Sequence, residues 1–256
     1  MRTVELILDQ VASGNYFIRE AFNTLRTNIL FSGKDVKTIV FTSCFASEGK
    51  TTVSIESARS LAESGKKVLF IDADLRKSVL ASRYTRERGV IGLSHLLSGQ
   101  VDADNVIYPT QISNLDVIFA GPYPPNPAEL VGSTTLKEFV LSVREKYDYV
   151  IIDAAPLGLV IDAAVMASVC DGAILVINAG HVKYRVVQGV QEQLEKSGCR
   201  VLGVVLNEID RRVHSASKDT YYGAKMSAGY YGNYQEGGAN SQPAAGTVAG
   251  TQKKQP

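Results

Sequence analysis

Apolar and polar positions alternate between two patterns along the chain. Short apolar runs rich in β-branched residues occupy residues 36–42, 67–71, 115–119, 149–152, 173–177 and 201–206. They are apolar at nearly every position rather than at every second one. That predicts strands buried on both faces, as parallel sheets require. Segments with helical spacing lie between them, over 50–64 (ended by Gly65), 134–147 and 182–197. Ahead of the first strand, Phe22, Leu25 and Ile29 predict a helix over 20–31. The alternation predicts an α/β fold: a doubly wound, mostly parallel sheet with helices on both faces. In such sheets the ligand binds beyond the C-terminal ends of the strands.

The pattern stops after about Arg212. Residues 215–256 are rich in Gly, Ser, Ala, Gln, Asn and Tyr and hold almost no Leu, Ile or Val. Such a segment cannot bury enough apolar surface to fold, so a flexible Tyr-rich tail at 215–256 is expected to follow a domain at 1–214.

Composition narrows the function classes. Hydrophobic residues make up 45% of the 256-residue chain, enough for a full core. The net charge of +1 gives no whole-chain argument for nucleic acid or an anionic membrane. Cys44, Cys170 and Cys199 form no CxxC pair, which argues against a structural zinc or a disulfide framework and fits a reducing cytosol. The first residues carry Glu5 and Asp9 and no long apolar core, unlike a signal peptide. The most apolar stretch, 150–167, is broken by Asp153, Pro156 and Asp162, so no run reaches the roughly 18 residues of a span. Work at a membrane would need a partner to hold the chain there.

The strand at 36–42 runs into Ser43-Cys-Phe-Ala-Ser-Glu-Gly-Lys-Thr-Thr52, after which a helix begins. Gly49-Lys50-Thr51 is the second half of a P-loop. Gly49 lets the backbone turn tightly against phosphate, and successive N–H groups with the helix N-terminus hold the anion. Lys50 is placed to reach the β- and γ-phosphates, Thr51 to offer a hydroxyl to Mg²⁺, and Thr52 to touch the α-phosphate. The general pattern has Gly five residues before Gly49, and here Cys44 stands there.

Two further strands end in acid. The strand at 67–71 leads into Asp72-Ala-Asp74, and that at 149–152 into Asp153. Mg²⁺ takes oxygen ligands and keeps several waters, so one or two carboxylates beside the Thr51 hydroxyl suffice. One carboxylate then remains free as base for an incoming hydroxyl. Each Asp alone reads equally well as the cap of the next helix.

The combination of Ser43 with Glu48-Gly-Lys-Thr51, Leu69-Phe-Ile-Asp-Ala-Asp-Leu-Arg76 and Tyr147-Asp-Tyr-Val-Ile-Ile-Asp153 resembles the bacterial tyrosine kinases. More narrowly it is similar to the soluble CpsD/CapB-like capsule and exopolysaccharide kinases, which are P-loop NTPases. Glu20-Ala-Phe-Asn-Thr-Leu-Arg-Thr-Asn28 and Gly121-Pro-Tyr-Pro-Pro-Asn-Pro-Ala-Glu-Leu130 also fit, and the resemblance covers about 15–235.

The resemblance implies ATP with Mg²⁺ as cofactors. ATP would be held by Ser47, Glu48, Gly49, Lys50, Thr51 and Thr52, with Asn207 at the adenine. Thr51, Asp74 and Asp153 would serve the metal. Asp72 would accept the tyrosine proton, with Lys50 and Asp74 completing the catalytic set. The tail tyrosines would be phosphorylated by a neighbouring subunit. The implied partners are a membrane-anchored activator, further copies of the chain in a ring, protein tyrosine substrates and a tyrosine phosphatase. The implied location is the cytoplasm, at the inner face of the membrane through that activator, where the pair regulates polysaccharide assembly and export. Three motifs depart from the family: Asn23 replaces the middle Arg of an N-terminal Glu-x-x-Arg-x-x-Arg assembly motif, Ala46-Ser47 replaces Pro-Gly, and Asp153-Ala-Ala-Pro replaces Asp-Thr-Pro-Pro.

Tyr221, Tyr222, Tyr230, Tyr231 and Tyr234 crowd the tail and are the candidate autophosphorylation sites. Each phosphate adds about −1.5 to −2 charge. Five would turn a slightly basic segment acidic, and the expectation is that this loosens self-assembly. Without the ATP site, such a tail reads as solvated low-complexity sequence.

Arg76, Lys77, Arg83, Arg86 and Arg88 form a basic stretch that either guides an acidic partner or is a solvated helix face. Pro124-Pro125-Asn126-Pro127 is a rigid connection next to a tyrosine pocket or no more than a connection. Val4, Leu6 and Leu8 dock either on the domain or on an activator. The rival function is a switch ATPase of the MinD/ParA kind, which shares the fold. Those proteins carry an extra lysine early in the P-loop, where this chain has Phe45. A non-catalytic adaptor that binds ATP to set its shape is a further alternative.

Overall fold

The computed structural model describes residues 3–8, 16–87 and 89–209. The tail with its five tyrosines, the 214/215 boundary and Arg88 lie outside the described residues.

Seven strands form one sheet: β1 Thr38–Ser43, β2 Val68–Asp72, β3 Tyr108–Pro109, β4 Leu115–Ile118, β5 Tyr149–Asp153, β6 Gly172–Asn178 and β7 Val201–Asn207. Their order is β3-β4-β2-β5-β1-β6-β7. Every pairing is parallel except β3 against β4. The chain thus leaves β1, passes over the place later taken by β5, and fills the sheet outward from both sides. The described residues hold eight α-helices, α1 ahead of the first strand and the rest between strands: α1 Tyr16–Phe31, α2 Lys50–Glu63, α3 Leu80–Tyr84, α4 Leu93–Leu97, α5 Pro127–Val131, α6 Thr134–Arg144, α7 Asp162–Ala167 and α8 Tyr184–Lys196.

The all-apolar runs behave as double-sided strands should. In β1, Ile39 and Phe41 enter one core with Val53, Ile55 and Leu61 of α2 and Ile29 of α1. Val40 enters the other, with Phe139, Val140 and Val143 of α6 and Leu194 of α8. Each side chain buried in this way contributes about 1.5–3 kcal/mol.

Two expectations change. β7 was expected to be buried on both faces, yet Val204 and Leu206 are 48% and 57% exposed. It is the last strand of the sheet, so one side has no neighbour. α1 begins at Tyr16, four residues before the expected start at Glu20. The alternatives for the N-terminal residues resolve toward the domain. Val4 and Leu6 are buried, and the Val4 N–H donates to the Pro109 carbonyl at 2.9 Å. Leu6 exchanges two hydrogen bonds with the Gln111 amide.

Candidate active site

β1 delivers the chain into the loop 44–49, and α2 starts at Lys50. Gly49 is the residue before the helix, in the left-handed region at φ 81°. A Cβ there would lie 1.9 Å from the Asn207 amide nitrogen, so both conformation and space require glycine. Ser47, where the family has Gly, also takes a left-handed φ of 66°. The loop therefore keeps its shape and carries the local strain in a non-glycine residue. Cys44 is fully buried, and burial, followed by the nearby Glu48 charge, pushes its thiol up to about 11. It is a core residue rather than a nucleophile.

Glu48 is turned inward. Its carboxylate accepts from the Phe45 N–H at 2.6 Å and from the Asn178 N–H at 3.3 Å. The side chain braces the loop and stays off the cavity wall. Asn207 supports the same loop, its Nδ2 donating to the Glu48 carbonyl at 3.0 Å.

Three of the predicted residues converge at the end of β5. The Lys50 ammonium donates to Asp153 Oδ1 at 2.7 Å, and the Thr51 hydroxyl donates to Asp153 Oδ2 at 2.6 Å. Ser54, one turn along α2, adds a third donor at 3.0 Å. Asp153 is 1% exposed, so its charge is compensated within the protein.

Asp72 lies beside it. The two are register partners on adjacent strands. Asp72 is also 1% exposed, but it receives only the Ser78 hydroxyl and, at 3.3 Å, the Asp74 N–H. Burial, and then the charge of Asp153, pushes its carboxyl up to about 7, against the opposing pull of Ser78 and Lys50. Asp74 accepts from the N–H groups of Arg76 and Lys77 and is part of the cavity lining.

A cavity of about 570 Å³ opens over these strand ends, and Ser47, Gly49, Lys50, Thr51, Thr52, Asp74 and Asn207 all line it. Its volume suits a nucleotide-sized ligand. Asp72 and Asp153 lie behind this wall rather than on it. The Thr52 hydroxyl is in hydrogen-bond contact with the buried Tyr84 hydroxyl at 2.8 Å. Phe45, in place of the extra lysine of the rival family, is 41% exposed on the cavity rim.

Sequence reasoning missed Ser54, Ser78, Tyr84 and Asp162. Arg76 forms a two-pronged pair with the buried Asp162, at 2.7 and 3.1 Å, and so ties the segment after β2 to α7. Of the basic stretch, Lys77 and Arg83 also reach the cavity wall. In the N-terminal motif, Asn23 donates to Glu20, and Arg26 is bound to Ser60 of α2.

A family model described as an AAA domain matches residues 36–200. The tyrosine-protein kinase CpsD of Streptococcus agalactiae is 41% identical over 215 residues, covering 84% of this chain and 89% of that protein. The chain belongs to the bacterial tyrosine kinases. Among solved structures, this kinase is similar to the kinase domain of the Escherichia coli tyrosine kinase ETK. The TM-score is 0.75 at 31% identity, covering 88% of this chain and 87% of that one. The chimerical protein CapA2B2 matches with a TM-score of 0.74 at 31% identity, covering 82% and 95%. The rival fold-mate is more distant. The septum site-determining protein MinD of Pyrococcus horikoshii, complexed with Mg-ADP, gives a TM-score of 0.57 at 28% identity, covering 67% and 70%. Among the described residues, no helix is long and apolar enough to cross a membrane.

Proposed function

We propose that this kinase transfers the γ-phosphoryl group of ATP to protein tyrosine hydroxyls, its own tail tyrosines included. The observation that carries the reading is the cluster at the end of β5: Lys50 and Thr51 bound to Asp153, with the uncompensated Asp72 in register beside it.

Each residue has a part. The loop N–H groups around Gly49 and the Lys50 ammonium hold the phosphates, with Ser47 and Thr52 on the same wall. The Thr51 hydroxyl with the Asp74 and Asp153 carboxylates is an all-oxygen donor set, which suits Mg²⁺ shared with phosphate oxygens. Bound there, the ion neutralises charge on the transferring group. Asp72, with its carboxyl near 7, is suited to take the proton of the incoming tyrosine hydroxyl. To meet Asp72, which lies behind the cavity wall, that hydroxyl would have to open the wall and replace the Ser78 hydrogen bond. Its oxygen then bonds to phosphorus as the bond to the ADP oxygen breaks.

In this reading, 1–214 is the kinase domain and 215–256 carries Tyr221, Tyr222, Tyr230, Tyr231 and Tyr234 as substrates in a neighbouring copy. A membrane-anchored activator recruits the kinase to the inner face of the membrane, where it regulates surface polysaccharide synthesis and export. A tyrosine phosphatase resets it. Asn23 and the Arg26–Ser60 contact leave ring assembly to be measured directly.

The test is incubation with ATP and Mg²⁺, with and without the cytoplasmic segment of a candidate activator, followed by site-resolved mass spectrometry. Phosphate is expected on the tail tyrosines and is expected to disappear in Lys50→Met. A tail without phosphate under every condition, or an active Lys50→Met chain, ends the proposal.

A further inference from the structure

β6 and β7 end side by side at the cavity, with Asn178 and Asn207 in register. Their polar groups are not equivalent. Asn207 gives one Nδ2 hydrogen to the Glu48 carbonyl, which fixes the amide and leaves its oxygen as an acceptor. Glu208, the next residue, also lines the cavity and holds a left-handed φ of 55°. A non-glycine residue held there is uncommon and is over-represented where a side chain must be aimed. One carboxylate oxygen of Glu208 accepts from the Asn178 side-chain amide, and Glu208 has no cationic partner among the described residues. The Asn178 side-chain oxygen is itself buried without a donor, so its amide is turned by its bond to Glu208 and not by a partner of its own.

We infer that Glu208, aimed by Asn178, is a base-selecting residue of the nucleotide site and reads an exocyclic amino group. The inference rests on the nucleotide reading of this cavity. Asn207 Oδ1 and the free Glu208 oxygen give this wall two acceptors. A lone carboxylate would repel phosphates, and those belong at Lys50 across the cavity. The 6-amino group of adenine has two hydrogens, one for each acceptor. The 6-oxo group of hypoxanthine or guanine would set oxygen against oxygen. Guanine could instead turn its two adjacent N–H donors to a carboxylate, but that grip needs both oxygens, and one of them would have to be shared with the Asn178 amide.

The test is equilibrium binding of ATP, ITP and GTP to the full chain and to Glu208→Gln and Asn178→Ala variants. A hydrogen bond to a charged group predicts that the wild type binds ATP ~10–100-fold more tightly than ITP or GTP. Glu208→Gln can rotate its amide to donate to a 6-oxo group, so its ATP/ITP ratio should fall at least about tenfold. Asn178→Ala releases the carboxylate and should lower the ratio by a smaller factor. A merely structural role would weaken all three nucleotides equally. Equal weakening, or an unchanged ratio in Glu208→Gln, overturns the inference while the kinase proposal stands. A wild type that binds GTP as tightly as ATP also overturns it. A wild type that binds no triphosphate overturns both.

Discussion

Asp72 and Asp153 end neighbouring parallel strands in register, so their carboxylates share one buried corner of the sheet. Three donors from α2 compensate Asp153, and the nearest opposing charge, Lys50, is committed to it. Asp72 is left to hold its proton up to about 7. The neutral acid is the comfortable form of the folded protein, and the charged form is the one a proton acceptor needs.

This makes Asp72 costly to stability above neutrality. A carboxyl raised from 3.8 to about 7 adds stability that is fully present below pH ~4 and lost as pH rises through ~7. In metal-free buffer, Asp72→Asn should therefore stabilise the protein at pH 8 by about 2–4 kcal/mol. The gain should shrink to nothing near pH 4. Thermal melts at both pH values check this, and equal melting shifts at the two would contradict it.

Catalysis should respond in the opposite direction. Asp72→Ala should slow phosphoryl transfer by about 10²–10⁴-fold, the range of general base catalysis, while ATP affinity changes far less. Single-turnover rates set beside binding constants separate the two. Normal transfer by the variant would assign the base elsewhere.

Gly49→Ala combines two penalties, a left-handed φ and a methyl against the Asn207 amide. A loss of about 1–3 kcal/mol in stability is expected. Nucleotide affinity should drop more than about tenfold, because the N–H groups that face phosphate move with the turn. Melting curves with and without ATP report both quantities.

Arg76→Ala removes the partner of Asp162, whose side chain is 3% exposed. An orphaned buried carboxylate costs several kcal/mol. Because Arg76 is itself 34% exposed, about 2–3 kcal/mol is the expected loss in urea unfolding. Adding Asp162→Asn should restore part of it, since the charge goes with the partner.

Leu6→Ala should cost about 2–3 kcal/mol, since Leu6 is 3% exposed in the core beside α1 and α2. If Leu6 served an activator instead, the variant would melt with the wild type and lose only activation.

The sequence by itself determined the elements that bury themselves locally. Each long strand falls within a residue or two of its apolar run, because a β-branched run with no polar face has nowhere to go but a sheet covered on both sides. Gly49-Lys50-Thr51 between strand and helix and the acids at two strand ends were legible for the same reason, being fixed by position along the chain. Short pieces such as α3, α5 and β3 carry too few residues to show a period, so they were not.

Only the tertiary structure decided which strand ends meet. β1 and β2 are consecutive in the chain, yet β5 lies between them, and that order alone sets Asp153 against both Lys50 and Asp72. It also set Arg76 on Asp162 across 86 positions of sequence and left one side of β7 open to solvent. Burial and charge pairing depend on neighbours far away in the chain, and local pattern carries no information about them.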